Sequence, residues 1–294
     1  MTEKLELRQI REFGAIVSDT FVFIRQNLKP LLKSFFTICG IFIVAGIISM
    51  VLYQLQAQQW QAPVGSEGIW QRTLSGSVLT WEYFLLLVFS ILSYVSMYVT
   101  VLSFVALYIQ KGNNAPNVDE VWAYFKFYFF RLLGSSIVMS IFLIVCFVCC
   151  ILPGIYVFPA VTLFYPIMVL ENGSFSHSFE RSFKLLKEEW WITAAVLVII
   201  YIIFYMASFI VQVPALILQM IATFMHAESP VRSVYAIASA CLTYLAQVFM
   251  LIPIISSCLI YFNLVERKES TGLLGRINAM GNNNAQENIH PEEY

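Results

Sequence analysis

Four groups of residues have types and spacings that could do chemistry. Cys146-x-x-Cys149-Cys150 sets thiols at a spacing used by zinc sites and redox pairs. His177, His226 and His290 supply the side chain that most often binds metals or moves protons. Asn172-Gly173-Ser174 spells a glycosylation acceptor. Arg181, Lys184 and Lys187 run up to Trp190-Trp191, an arrangement that can attract phosphate: Arg offers a planar fork to its oxygens, and each cation near an anionic membrane surface is worth roughly 1 kcal/mol.

Context removes the first three. The cysteines fall inside a long apolar run, where thiols act as small apolar residues, and no second pair stands at zinc spacing. The histidines lie in separate stretches, so no metal or cofactor is expected. The sequon reads as a turn on the inner side of a membrane. The cations beside Trp190 and Trp191 are the candidate site, for lipid phosphate, with generic positive-inside anchoring as the competing reading. Trp122, Trp190 and Trp191 are expected as interfacial anchors, because an amphipathic ring prefers the headgroup level.

The elements that must position these residues follow from composition. Of 294 residues, 59% are apolar and only 12% charged. A soluble domain carries about 25% charge, and a chain with half of that cannot cover a water-facing surface. Net charge of −1 gives no general attraction to nucleic acid. Six apolar runs reach the roughly 20 residues that a helix needs to cross hydrocarbon: 31–53, 83–110, 132–152, 155–170, 192–220 and 233–263. A barrel would need strands of about 10 alternating residues, which these are not. The chain is therefore expected to be all-α and polytopic, with a membrane domain over 31–264 and a disordered tail over 265–294. Pro159, Pro166, Pro214 and Pro253 predict kinks or local breaks. Leu152-Pro153-Gly154 predicts a tight turn.

Lysine and arginine alternate between loops. They crowd ahead of the first run, between the second and third, between the fourth and fifth, and after the sixth, while only Arg72 and Arg232 fall in the other loops. Both termini are accordingly expected in the cytoplasm. The cytoplasmic stretches carry apolar stripes at helical spacing: Ile10, Phe13, Val17, Phe21, Ile24 and Leu28 within 1–30; Val118, Val121, Trp122, Phe125, Phe129 and Leu132 around 117–131; Phe175, Phe179, Ser182, Phe183 and Leu186 within 174–190. Lys29-Pro30 predicts a bend into the membrane, and Asn117 with Glu120 a capping box. The expected architecture is three units, each an interfacial helix followed by a helical hairpin.

The segment Leu152-Pro153-Gly154-Ile155-Tyr156, then Tyr165-Pro166, Val169-Leu170-Glu171-Asn172 and Arg181-Ser182-Phe183-Lys184-Leu185-Leu186-Lys187 leading to Trp190-Trp191, resembles the bacterial glycerophosphoryl diester phosphodiesterase membrane-domain family and related integral membrane proteins. The likeness covers residues 116–200. It implies a membrane module of the bacterial inner membrane and not the phosphodiesterase activity, since the catalytic domain fused behind such modules has no counterpart here. That family usually ends the helix after the second hairpin with Lys-Gly. This chain has Lys187-Glu188-Glu189, which leaves the helix free to run on into the fifth span.

Two functional readings are open. One is a non-enzymatic inner-membrane protein that meets membrane lipids, anionic ones included, or a membrane-protein partner through its interfacial helices. The other is a small-solute or lipid transporter, using Tyr94, Ser96, Tyr98, Thr100 and Ser103 on the second span with Gln212 and Gln219 on the fifth. No charged side chain stands in the middle of a span, where coupled carriers commonly keep one.

Overall fold

The apolar runs become helices because few residues inside them interrupt the backbone ladder, and in lipid that ladder must satisfy itself. A computed structural model describes residues 4–59, 80–149, 151–224 and 229–269. In chain order the helices are α1 (Phe13–Gln59), α2 (Trp81–Gln110), α3 (Val118–Cys149), α4 (Ile151–Leu170), α5 (Phe175–Leu186), α6 (Trp190–Phe224), α7 (Ser229–Ala246) and α8 (Leu251–Glu269), with a 3₁₀ turn at Gln247–Met250 joining the last two. No strand occurs among the described residues. Six segments are long and apolar enough to cross a membrane, the sixth combining α7, the turn and α8. The chain is an all-helical, polytopic membrane protein.

The boundaries revise the expected units. The first and second interfacial helices are not separate elements: α1 runs through Pro30, and α3 runs from Val118 into the third span. Only α5 stands free of its span. The helix also does not run on there, despite the missing glycine. It stops at Leu186, and the Glu189 amide turns back to the Leu186 carbonyl at 3.1 Å. Leu152-Pro153-Gly154 is not the turn but the first turn of α4, where proline lacks only an amide that would have no partner anyway. The chain stays helical through Pro159, Pro166 and Pro214; the α-helix is interrupted just ahead of Pro253, where the 3₁₀ turn sits. Helix α8 continues to Glu269, past the expected start of the tail at 265; residues 60–79 and 270–294 lie outside the described residues.

The core is built mainly from α2, α4 and α8. Val99, Val101, Leu102 and Phe104 of α2, Leu163, Phe164 and Ile167 of α4, and Ile254, Ile255 and Leu259 of α8 are almost wholly buried. In α1 the buried line is Ile16, Thr20, Phe23, Asn27 and Leu31, one residue and so about 100° around the helix from the expected stripe. Phe13, Phe21 and Leu28 of that stripe are exposed instead. The second stripe does face inward at Val121, Phe125, Phe129 and Leu132. Of the expected capping box at Asn117 and Glu120 one half is present: the Glu120 carboxylate accepts the Asn117 amide at 2.8 Å.

Candidate functional site

The basic segments meet in one hydrogen-bonded layer at one end of the bundle. Its hub is Glu171, one residue past α4. Its Oε1 accepts from Arg181 Nε at 3.1 Å and from the Tyr261 hydroxyl at 2.9 Å, and its Oε2 lies 3.0 Å from His177 Nε2. Arg181 also reaches Glu269 at 2.6 Å. Burial pushes the Glu171 carboxyl up, but the hydrogen bonds from His177, Tyr261 and Arg181 and the Arg181 charge outweigh it, leaving it below the usual carboxylate range. Burial pulls Arg181 down, and the bonds to Glu269 and Glu171 more than restore it.

Local sequence explains why α5 leaves the hub where it does. Asn172 takes a left-handed backbone, φ 51°, which asparagine tolerates better than most residues. Ser174 then caps α5 by accepting the His177 amide at 3.3 Å. The sequon residues are thus a turn, as expected. A Cβ on Gly173 would strike the His177 ring, which would have to leave its place beside Glu171 to make room. At the other end of α5 the Lys268 ammonium donates to the Lys184 carbonyl at 2.8 Å, and Arg267 pairs with Glu189 at 3.0 Å.

The three candidate cations therefore differ. Arg181 is half-buried and committed to two carboxylates. Lys184 and Lys187 are exposed and make no side-chain hydrogen bond or ion pair among the described residues. Trp191 beside them is 81% exposed. Trp190 is half-buried: it stacks on Tyr156 at 5.6 Å and donates its indole N–H to the Tyr156 carbonyl at 3.0 Å. Trp122 lies exposed against Phe125, with Lys126 over its ring at 5.9 Å.

Cys146 and Cys149 are free thiols, Cys149 exposed; Cys150, His226 and His290 lie outside the described residues. Among the described residues no three metal-binding side chains gather. Of the polar groups on the second and fifth spans, Ser96, Thr100 and Gln212 bond back to carbonyls of their own helices, at 2.8, 2.7 and 3.3 Å. Tyr94 and Tyr98 stand with their hydroxyls 3.4 Å apart and join Tyr165 and Tyr201 in an aromatic cluster. A groove of about 600 Å³ runs beside α6 from Tyr205 to Leu216, and its lining residues, Ser208 and Gln212 included, all come from α6.

Arg11 is a structural residue that its pattern hides. Off the apolar stripe, it reads as solvent-facing, yet it is buried: Nε pairs with Asp19 at 2.7 Å, the other guanidinium nitrogens hold the Glu6 and Leu7 carbonyls, and its own amide donates to Asn263 at 2.7 Å. Arg267 donates to its carbonyl at 3.1 Å. Comparison of the chain with protein-family models, curated proteins and solved structures gives no match.

Proposed function

We propose that this is a non-enzymatic protein of the bacterial inner membrane, with both termini cytoplasmic, that engages anionic lipid through α5 and the start of α6. The observation that carries the reading is the pairing of exposed, uncommitted Lys184 and Lys187 with the exposed ring of Trp191, on a short helix anchored to the bundle by Glu171, Lys268 and Arg267. Cations at headgroup depth beside an amphipathic ring fit a phosphate-bearing surface. The bacterial inner-membrane part of the reading rests on the resemblance of residues 116–200 to a membrane module.

The transporter reading has less in its favour. Ser96, Thr100 and Gln212 bond to carbonyls of their own helices, while the buried Ser103 and Ser208 hydroxyls have no partner among the described residues, and the groove holding Ser208 and Gln212 is lined from one helix.

Spin-labelled phosphatidylglycerol and phosphatidylcholine in nanodiscs holding the protein test the proposal. The anionic lipid should be the more immobilised, and the preference should fall on Lys184→Glu with Lys187→Glu. Equal immobilisation of the two lipids would overturn it. Orientation is checked by cysteines placed at positions 66 and 280, which should label from opposite sides.

A further inference from the structure

A second polar feature lies in the same layer, away from Lys184 and Lys187. Between the ends of α2 and α4, the start of α3 and the side of α8 is a cavity of about 320 Å³, at the small end of the range for ligand sites. Its polar lining is Arg8, Gln110, Tyr124, Tyr128, Asn172 and Tyr261. Arg8 is the one charged residue among them.

The hydrogen bonds around it occupy the amide oxygens and leave the amide donors. Gln110 Oε1 is taken by the Tyr124 hydroxyl at 2.7 Å. Asn172 Oδ1 is taken by Arg131 at 2.8 Å, and since arginine can only donate, the amide orientation is fixed with its NH₂ pointing elsewhere. Tyr261 donates to Glu171. The carbonyls at the two helix ends are largely answered too. Lys111, Gly112 and Asn113 amides cap α2 at Leu107, Ile109 and Tyr108, the Glu171 amide bonds Ile167, and Arg131 holds the carbonyls of Asn172 and Gly173. What remains is the Arg8 guanidinium, the NH₂ groups of Gln110 and Asn172, and the Tyr128 hydroxyl, none of them engaged in a hydrogen bond or ion pair among the described residues.

We infer that this cavity binds a phosphate group, either free or as the headgroup of a lipid. One guanidinium and neutral N–H and O–H donors around one space, with each lining amide oxygen already holding a donor and no carboxylate in the lining, suit an oxyanion better than a cation. The site does not depend on the α5 surface, because neither Lys184 nor Lys187 lines it.

The decisive variant is Asn172→Asp. Aspartate keeps an oxygen for Arg131 and tolerates the left-handed backbone, but replaces the NH₂ donor with a carboxylate oxygen. Arg8→Gln, at an exposed position, is the second variant. Titration calorimetry of the detergent-solubilised full chain with inorganic phosphate, and of the chain in phosphatidylcholine nanodiscs with short-chain phosphatidylglycerol, separates the two sources. Saturable phosphate binding weakened at least tenfold in both variants assigns the free anion. The same loss confined to the phosphatidylglycerol arm assigns a lipid headgroup. Binding absent from both arms, or unchanged in both variants, overturns the site. The double variant at Lys184 and Lys187 should leave cavity binding as it was, so failure of the α5 reading and failure of this site are told apart.

Discussion

Glu171 and Arg181 are bonded at 3.1 Å across the turn between α4 and α5, and the same guanidinium reaches Glu269 at the end of α8. Two neighbouring segments and a third far along the chain are joined through one ion-paired group. The side chains are 19% and 18% exposed, so the pair lies between a solvated surface bridge and a fully buried one.

Glu171→Gln should destabilise the protein by about 2 kcal/mol, the scale of a hydrogen bond to a charged group. The loss should be less than additive with Arg181→Gln, because both remove one interaction. The depressed Glu171 pKa sets the pH dependence. Its stabilisation is complete above the ordinary carboxylate value of 4.5 and is lost as pH falls through the lower folded-state value. Thermal unfolding of wild type and Glu171→Gln should differ at pH 7 and converge as pH drops below about 4.5.

Arg11→Met should cost about 3 kcal/mol, since it leaves Asp19 unpaired and the Leu7 and Glu6 carbonyls without donors. Because the Arg11 amide and carbonyl tie the N-terminal segment to Asn263 and Arg267, Asn263→Leu should loosen the same segment. Limited proteolysis would show cleavage ahead of Phe13 rising in both variants, with the spans intact.

Gly46→Ala should destabilise by about 1–3 kcal/mol, the usual range for overpacking. An added Cβ would run into the outer edge of the Tyr244 ring, which is buried and would have to move into the packing around it. Tyr244→Ala should recover part of the loss in a melting experiment on the double variant, where an unrelated defect would simply add.

Much of this architecture is legible in the sequence. The six apolar runs, the half of the capping box at Asn117 and Glu120 and the inward stripe of α3 follow from hydropathy and spacing. What escaped was tertiary. In a membrane protein an apolar stripe can face lipid as well as core, so Phe13, Phe21 and Leu28 gave no guide to the packed face of α1, which uses Ile16, Phe23 and the polar Thr20 and Asn27. The Thr20 hydroxyl and Asn27 amide stay buried by bonding to the Ile16 and Phe23 carbonyls four residues back. Arg11 and Arg181 carry charge on an apparent polar face, and their partners, near ones such as Asp19 and Glu171 and distant ones such as Asn263 and Glu269, are set by the fold and not by helical spacing. The candidate cations are thus split into a strut, Arg181, and two free lysines, a distinction that spacing alone does not contain.

Native mass spectrometry of the full chain released gently from its own membrane tests lipid recognition most directly. Wild type should retain anionic phospholipid at fixed stoichiometry, and the Lys184→Glu, Lys187→Glu variant, with Arg181 and Glu171 untouched, should lose it. A wild-type protein that emerges bare, or a variant that keeps the same lipid in the same amount, would contradict the account.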